Sequence, residues 1–324
     1  MLGRPDFPTD VILDTDAYNE VDDQFAIAYL LSNGAKLRVK GINAAPFVNG
    51  KSAGPGDGMQ KSFDEIKKIC KLMKRTGVSV YQGSEAFLPD EKTFIDSEAA
   101  ENIVKTAKKY SSEKPLYIAA VGAITNIASA ILMSPDIIDK IVVVWLGGHA
   151  YHTAHTKEYN MFQDVAAARI VFGCGVPFVQ LPCAGVVSAF TISEAELTKW
   201  LKGKNPVCDY LASNTISEMN SNTPWTRVIW DVTAVAWLLW ENYTEDYIVH
   251  APVPQYSGKF LKDEKGRYTK NIVYNDPDEL VRDIYDPSVN ISYGFNQNNH
   301  LMKCVHTINR DLLVADLFKK LTGE

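Results

Sequence analysis

Val11-Ile12-Leu13-Asp14-Thr15-Asp16-Ala17-Tyr18-Asn19-Glu20-Val21-Asp22-Asp23 joins a short β-branched apolar run to five acidic side chains within ten residues. So many carboxylates repel one another unless a cation neutralises them. A hard divalent ion is the natural partner, because Ca2+ takes about 6–8 oxygen ligands and Mg2+ a tighter octahedron. One or two of the five serve as turn or cap residues, as Asp commonly does, and Asp14 is the first candidate for that role. The segment runs into a helix beginning near Gln24, whose N-terminus stabilises the charges of Asp22 and Asp23.

Outward from this segment, apolar β-branched runs recur at 11–13, 37–42, 78–81, 116–121, 141–146 and 176–181, each followed by a helix-like stretch. That alternation marks βα units. It predicts an α/β fold, a mainly parallel open sheet flanked by helices on both faces. Asn33-Gly34 and Thr76-Gly77 read as helix stops. Open α/β sheets bind ligands in the crevice beyond the carboxyl ends of their strands, which is where the acidic segment falls. After about residue 190 the pattern becomes helical, over 193–201, 207–219 and 228–240. A tail with Pro252, Pro254, Gly258 and Gly266 then reads as extended or hairpin structure, ending in an amphipathic helix at 310–321. No composition shift, repeat or low-complexity tract divides the chain, so one domain with helical C-terminal additions is expected over 1–324.

The 324 residues are 46% apolar, enough to bury a large core. A formal net charge of -6 argues against nucleic-acid binding, which needs a basic face. No apolar run reaches the length of a membrane span, about 18 residues, and the first residues carry no apolar signal region. The expectation is a cytoplasmic protein with no membrane partner. Cys70, Cys174, Cys183, Cys208 and Cys304 are odd in number and scattered, which suits free thiols in a reducing compartment.

The acidic segment resembles the hallmark of the inosine-uridine-preferring nucleoside hydrolases, Asp-x-Asp-x-x-x-Asp-Asp after the first strand, here lengthened by two residues between Asp16 and Asp22. Further landmarks keep the family's order: Ala120-Val121-Gly122-Ala123-Ile124-Thr125-Asn126-Ile127-Ala128, Leu146-Gly147-Gly148, Glu158-Tyr159-Asn160, and Trp230-Asp231-Val232-Thr233-Ala234-Val235-Ala236. The resemblance implies a Ca2+-dependent cleavage of the N-glycosidic bond of a ribonucleoside, by a homodimer or homotetramer. It implies that Asp16, Asp23, Asp231 and the Val121 carbonyl ligate the metal, with Asp16 also the general base toward the attacking water. It implies that Asp22, Glu158, Asn160 and Asn49 hold the ribose, with Asn43 competing with Asn49. If 158–160 is strand-like, residues two apart point the same way, so Glu158 and Asn160 would grip one sugar together. Carboxylates near the anomeric carbon would stabilise the positive charge that develops there.

Two features depart from the pattern. The family usually has a histidine before the last metal-binding aspartate, to assist the leaving base. Here Trp230 stands there, which favours purines through stacking or else packs on the helix expected at 228–240. His149, His152 and His155 lack the thiolate or carboxylate partners of a zinc site, and are read as a loop at the pocket mouth where His152 or His155 touches the base or a ribose hydroxyl, His152 being the base-binding candidate. The Gly/Pro-rich stretch 50–58 lacks phosphate-loop spacing and reads as a flexible loop near the site. Two rivals stand beside the hydrolase. A haloacid-dehalogenase-type phosphatase would use Asp14 as nucleophile. A non-catalytic ribosyl-binding protein would keep the cage without turnover.

Overall fold

The computed structural model describes residues 2–219, 222–257 and 273–323, so Gly258 and Gly266 of the tail lie outside the described residues. Six runs form the expected strands: β1 (Thr9–Thr15), β2 (Leu37–Ala44), β3 (Val80–Tyr81), β4 (Leu116–Ala120), β5 (Ile141–Leu146) and β6 (Phe178–Leu181). Later in the chain come β7 (Thr191–Ser193), β8 (Thr226–Val228), β9 (Thr244–His250), β10 (Val253–Ser257), β11 (Asn290–Gly294) and β12 (Leu301–Ile308). The main sheet has eight strands in the order β3-β2-β1-β4-β5-β6-β12-β9. Its pairings are parallel except at one edge, where β9 runs antiparallel to β12.

Burial on both faces explains the uninterrupted apolar runs. Successive side chains of a strand point to opposite faces. On β5, Val142, Val144 and Leu146 join the core that holds Leu13 and Phe25, whereas Ile141, Val143 and Trp145 join the core that holds Ile118 and Phe172. Each fully buried aliphatic side chain of this kind contributes about 1.5–3 kcal/mol relative to exposure. Helix α1 (Val21–Ser32) crosses from β1 to β2 and begins three residues before Gln24, so that Asp22 and Asp23 lie in its first turn.

Four local expectations are corrected. The helix read at 228–240 is strand β8 followed by a helix only from Val232 to Leu239, because Thr226–Val228 pairs antiparallel with β7. Residues 158–160 are not strand-like: Glu158 caps the helix Tyr159–Gln163. Half of the presumed loop at 50–58 is the opening of the helix Pro55–Leu72, with proline in its first turn where the missing N–H costs nothing. The tail does pair β10 with β11, but it also carries the helix Pro277–Tyr285. Asp276 caps that helix, and Asp278 and Glu279 occupy its first turn.

The chain moves from β1 outward to β2 and β3, then returns to the other side of β1 for β4, β5 and β6. The order therefore reverses between β1 and β4. Asp16 and Val121 follow directly on the carboxyl ends of those two strands, at the switch point where such sheets bind ligands.

Candidate active site

Asp16, Asp22, Asp23, Asn49, Val121, Glu158, Asn160, Trp230 and Asp231 line one cleft of about 430 Å³ above this switch point. Asp22, Asp23 and Asp231 are the tightest group, each offering a carboxylate oxygen within 4.8 Å of the others. Asp16, expected among the metal ligands, lines the cleft with that trio, and its charge helps push the pKa of Asp23 up. Asp22, expected only at the sugar, is inside it. Thr15 Oγ1 donates to Asp23 Oδ1 at 2.5 Å. Asp22 Oδ1 and Asp231 Oδ1 are buried without a hydrogen-bond partner.

All four carboxylates are buried, at no more than 2% exposure. Burial pushes each of their pKa values well above the ordinary carboxylate range, and the charges of the neighbouring acids push further. Orphaned oxygens and crowded charge of this kind are what a buried cation relieves. An all-oxygen donor set suits a hard divalent ion. The residues present fit such an ion.

The wall beside the trio is built on backbone hydrogen bonds. Glu158 accepts from Gly148 N at 2.8 Å, Asn160 N at 2.9 Å and Met161 N at 3.0 Å. Its own burial raises its pKa, and these three donors pull it back. Gly148 needs its left-handed φ of 74° to turn its N–H toward Glu158, a conformation that favours glycine. Asn160 Nδ2 donates to the carbonyls of Val121 at 2.9 Å and Leu146 at 3.0 Å, tying the ends of β4 and β5 together. Its amide oxygen is then the group it can offer a ligand.

The two-residue excess between Asp16 and Asp22 contributes directly to the cleft through Asn19 and Glu20, which the sequence reading missed. Asn19 Nδ2 donates to Asp16 Oδ2 at 3.0 Å and Asn19 Oδ1 accepts from Asn49 Nδ2 at 2.6 Å. Asn49 thus holds Asn19, which orients Asp16. Tyr159, Met219, Thr226, Arg227 and Val228 also line the cleft unforeseen. Short polar residues inside a lengthened acidic motif were the available signal for Asn19. Arg227 carried none, because only the pairing of β8 with β7 brings it there.

Two expected residues fall elsewhere. His152 does not line the cleft and is exposed: its loop passes beside the turn at Gly185, away from the cleft lining. Asn43 is buried in β2, paired in register with Asp14 of β1, and is also not a lining residue. Asp14 is fully buried, accepts from Asn126 Nδ2 at 3.0 Å and does not line the cleft, so a phosphatase nucleophile has no access there. Trp230 is half-buried, lining the cleft while also packing on the core.

Comparison with known proteins agrees with this architecture. A pyrimidine-specific ribonucleoside hydrolase of Escherichia coli is 36% identical over 98 residues, 29% of this chain and 31% of its own length. The inosine-uridine preferring nucleoside hydrolase of Leishmania major is 33% identical over 93 residues, 28% of this chain and 30% of its own length. The chain thus aligns with about a third of the length of these curated relatives. Among solved structures, a plant nucleoside hydrolase superposes with a TM-score of 0.69 at 17% identity, over 98% of this chain and 100% of that one. A purine-preferring ribonucleoside hydrolase from Gardnerella vaginalis gives 0.65 at 20% identity, over 97% and 98%. These two likenesses carry the fold. The family model described as inosine-uridine preferring nucleoside hydrolase matches residues 11–275, which run from the first buried strand past every aspartate of the cleft. On that match the chain belongs to the inosine-uridine preferring nucleoside hydrolase family.

Proposed function

We propose that this protein hydrolyses the N-glycosidic bond of ribonucleosides, with purine nucleosides preferred, and that it does so with Ca2+ at the acidic floor of the cleft. The observation that carries the reading is the crowding of four buried carboxylates, two with orphaned oxygens, beside Glu158 and Asn160 in one cleft. Asp16, Asp23, Asp231 and the Val121 carbonyl would hold the ion, with Asp22 close enough to join them. When bound, the ion supplies positive charge that orients and acidifies the attacking water.

The protein's own groups do the rest. Asp16, oriented by Asn19, takes the water's proton as general base. Asp22, Glu158 and Asn160 hold the ribose hydroxyls, and fixed carboxylates stabilise the oxocarbenium character that develops as the bond breaks. The flat face of Trp230 offers stacking to the base, and a purine presents the wider face. That stacking supports purine preference. The relatives' own names divide, one pyrimidine-specific and one purine-preferring.

No helix among the described residues is long and apolar enough to cross a membrane. The five unpaired cysteines support a cytoplasmic location. The homodimer or homotetramer that the family resemblance implies is a matter for light scattering.

The deciding experiment is a panel of inosine, adenosine, uridine and cytidine with reducing-sugar detection, run with calcium and with chelator. Release of ribose that stops on chelation and returns with calcium is the expected result. Absence of turnover on every ribonucleoside would leave the ribosyl-binding alternative standing.

A further inference from the structure

Among the described residues that line the cleft, Arg227 is the one cation. It sits in the middle of β8, three residues before Trp230, and its Nη2 reaches Glu20 Oε2 at 2.9 Å. Glu20 lies in the segment lengthened by two residues between Asp16 and Asp22, so that segment and the arginine are bound by one ion pair. Arg227 Nε is buried and donates to nothing. A buried guanidinium N–H without an acceptor is a group in want of a ligand, since buried donors are nearly always satisfied. Its neighbours along the cleft wall, Met219, Val228 and Trp230, are apolar or aromatic, the lining that a planar base would pack against.

We infer that Arg227 is the catalytic residue that meets the leaving base, an inference that rests on the hydrolase reading above. The reaction needs such a group, because an indole at position 230 cannot give up a proton. As the bond between C1′ and the base nitrogen breaks, its electron pair moves onto the base. The water oxygen bonds to C1′ and the water's proton passes to Asp16. The departing base carries negative charge, which the Arg227 N–H groups stabilise as donors while the guanidinium keeps its protons. The base then takes a proton from solvent, and Asp16 returns its own to solvent. Glu20 positions the guanidinium against the cleft wall through Nη2.

The test compares inosine with p-nitrophenyl β-ribofuranoside, whose phenolate departs without help from the protein. For Arg227→Gln, kcat/KM for inosine should fall roughly 100-fold while the nitrophenyl riboside changes by less than about threefold, the signature of a lost transition-state donor at the leaving group. Arg227→Lys keeps the charge without the planar fork and should recover part of the inosine rate. Should Arg227→Gln lose its helical circular dichroism, the lysine variant alone carries the comparison, and inosine must still fall relative to the nitrophenyl riboside. Equal losses on both substrates, or no loss on either, overturn the assignment. A wild-type protein that cleaves neither substrate overturns the hydrolase reading and takes this one with it.

Discussion

Asp16 and Asp231 are a sensitive measure of the proposed chemistry, because an amide fits their places but can neither accept a proton nor carry charge to a cation. Asp16→Asn and Asp231→Asn should each lower kcat by roughly 100-fold or more, the range expected when a general base or charge-bearing group is removed. Asp14→Asn should keep measurable turnover, since Asp14 is sealed beneath the cleft against Asn126. A dead Asp14→Asn with a well-folded Tm would argue against this division of roles. Trp230 lines the cleft and packs on the core, so its two roles need separate readouts. If stacking matters, Trp230→Ala lowers kcat/KM for inosine far more than for uridine. A lowered Tm with an unchanged ratio between the two substrates would reduce Trp230 to packing.

At the scale of elements, the starts of β1 and β2 are pinned to each other by charge as well as by burial. Asp10 on β1 accepts from Arg38 Nε at 2.7 Å and Tyr110 Oη at 2.8 Å, and pairs with Lys40 at 3.1 Å. Burial pushes its pKa up, but these partners outweigh it and carry the carboxyl down from the ordinary 3.8 to about 2. A carboxylate with a depressed pKa stabilises the fold above its unfolded value and loses that contribution as pH falls through its folded one. The effect is at most on the order of 2 kcal/mol at neutral pH. Asp10→Asn should therefore lower Tm by a few degrees at pH 7. The gap to wild type should close as the pH falls from about 4 to 2. Parallel Tm curves for the two proteins over that interval would show that the cluster contributes nothing. The same scale explains the misread elements. Apolar periodicity does not separate a three-residue strand from the first turn of a helix, and β8 became a strand because β7 lay beside it. The helix at 277–285 had legible signals, with proline at its start and acids in its first turn, inside a tail otherwise read as extended.

For the whole molecule, a cation at the cleft floor would join the segment running from the end of β1 into the start of α1 to Asp231, just before the helix Val232–Leu239 and far along the chain. An ion that binds only the folded state stabilises it by about 2.7 kcal/mol at a hundredfold excess over Kd. Adding calcium to chelator-treated protein should therefore raise Tm, with magnesium weaker. A Tm indifferent to both ions would speak against the site. The chain also threads back on itself: β12, from residues 301–308, pairs with β6 inside the sheet, so the C-terminal section completes the central layer rather than decorating it.

The sequence by itself determined the parallel sheet and the place of the acidic floor. Both rest on local patterns, β-branched runs whose burial on two faces forbids polar interruptions, and carboxylates too crowded to lack a purpose. It also determined the family, because the motif after β1 and the later landmarks are read in order along the chain. Only the tertiary structure decided that Asn49 acts through Asn19, that His152 stays outside the cleft, and that Arg227 enters it. Each of these depends on which distant segment lies alongside, and a side chain's partner across 30 or more residues leaves no mark in the local spacing from which elements are read.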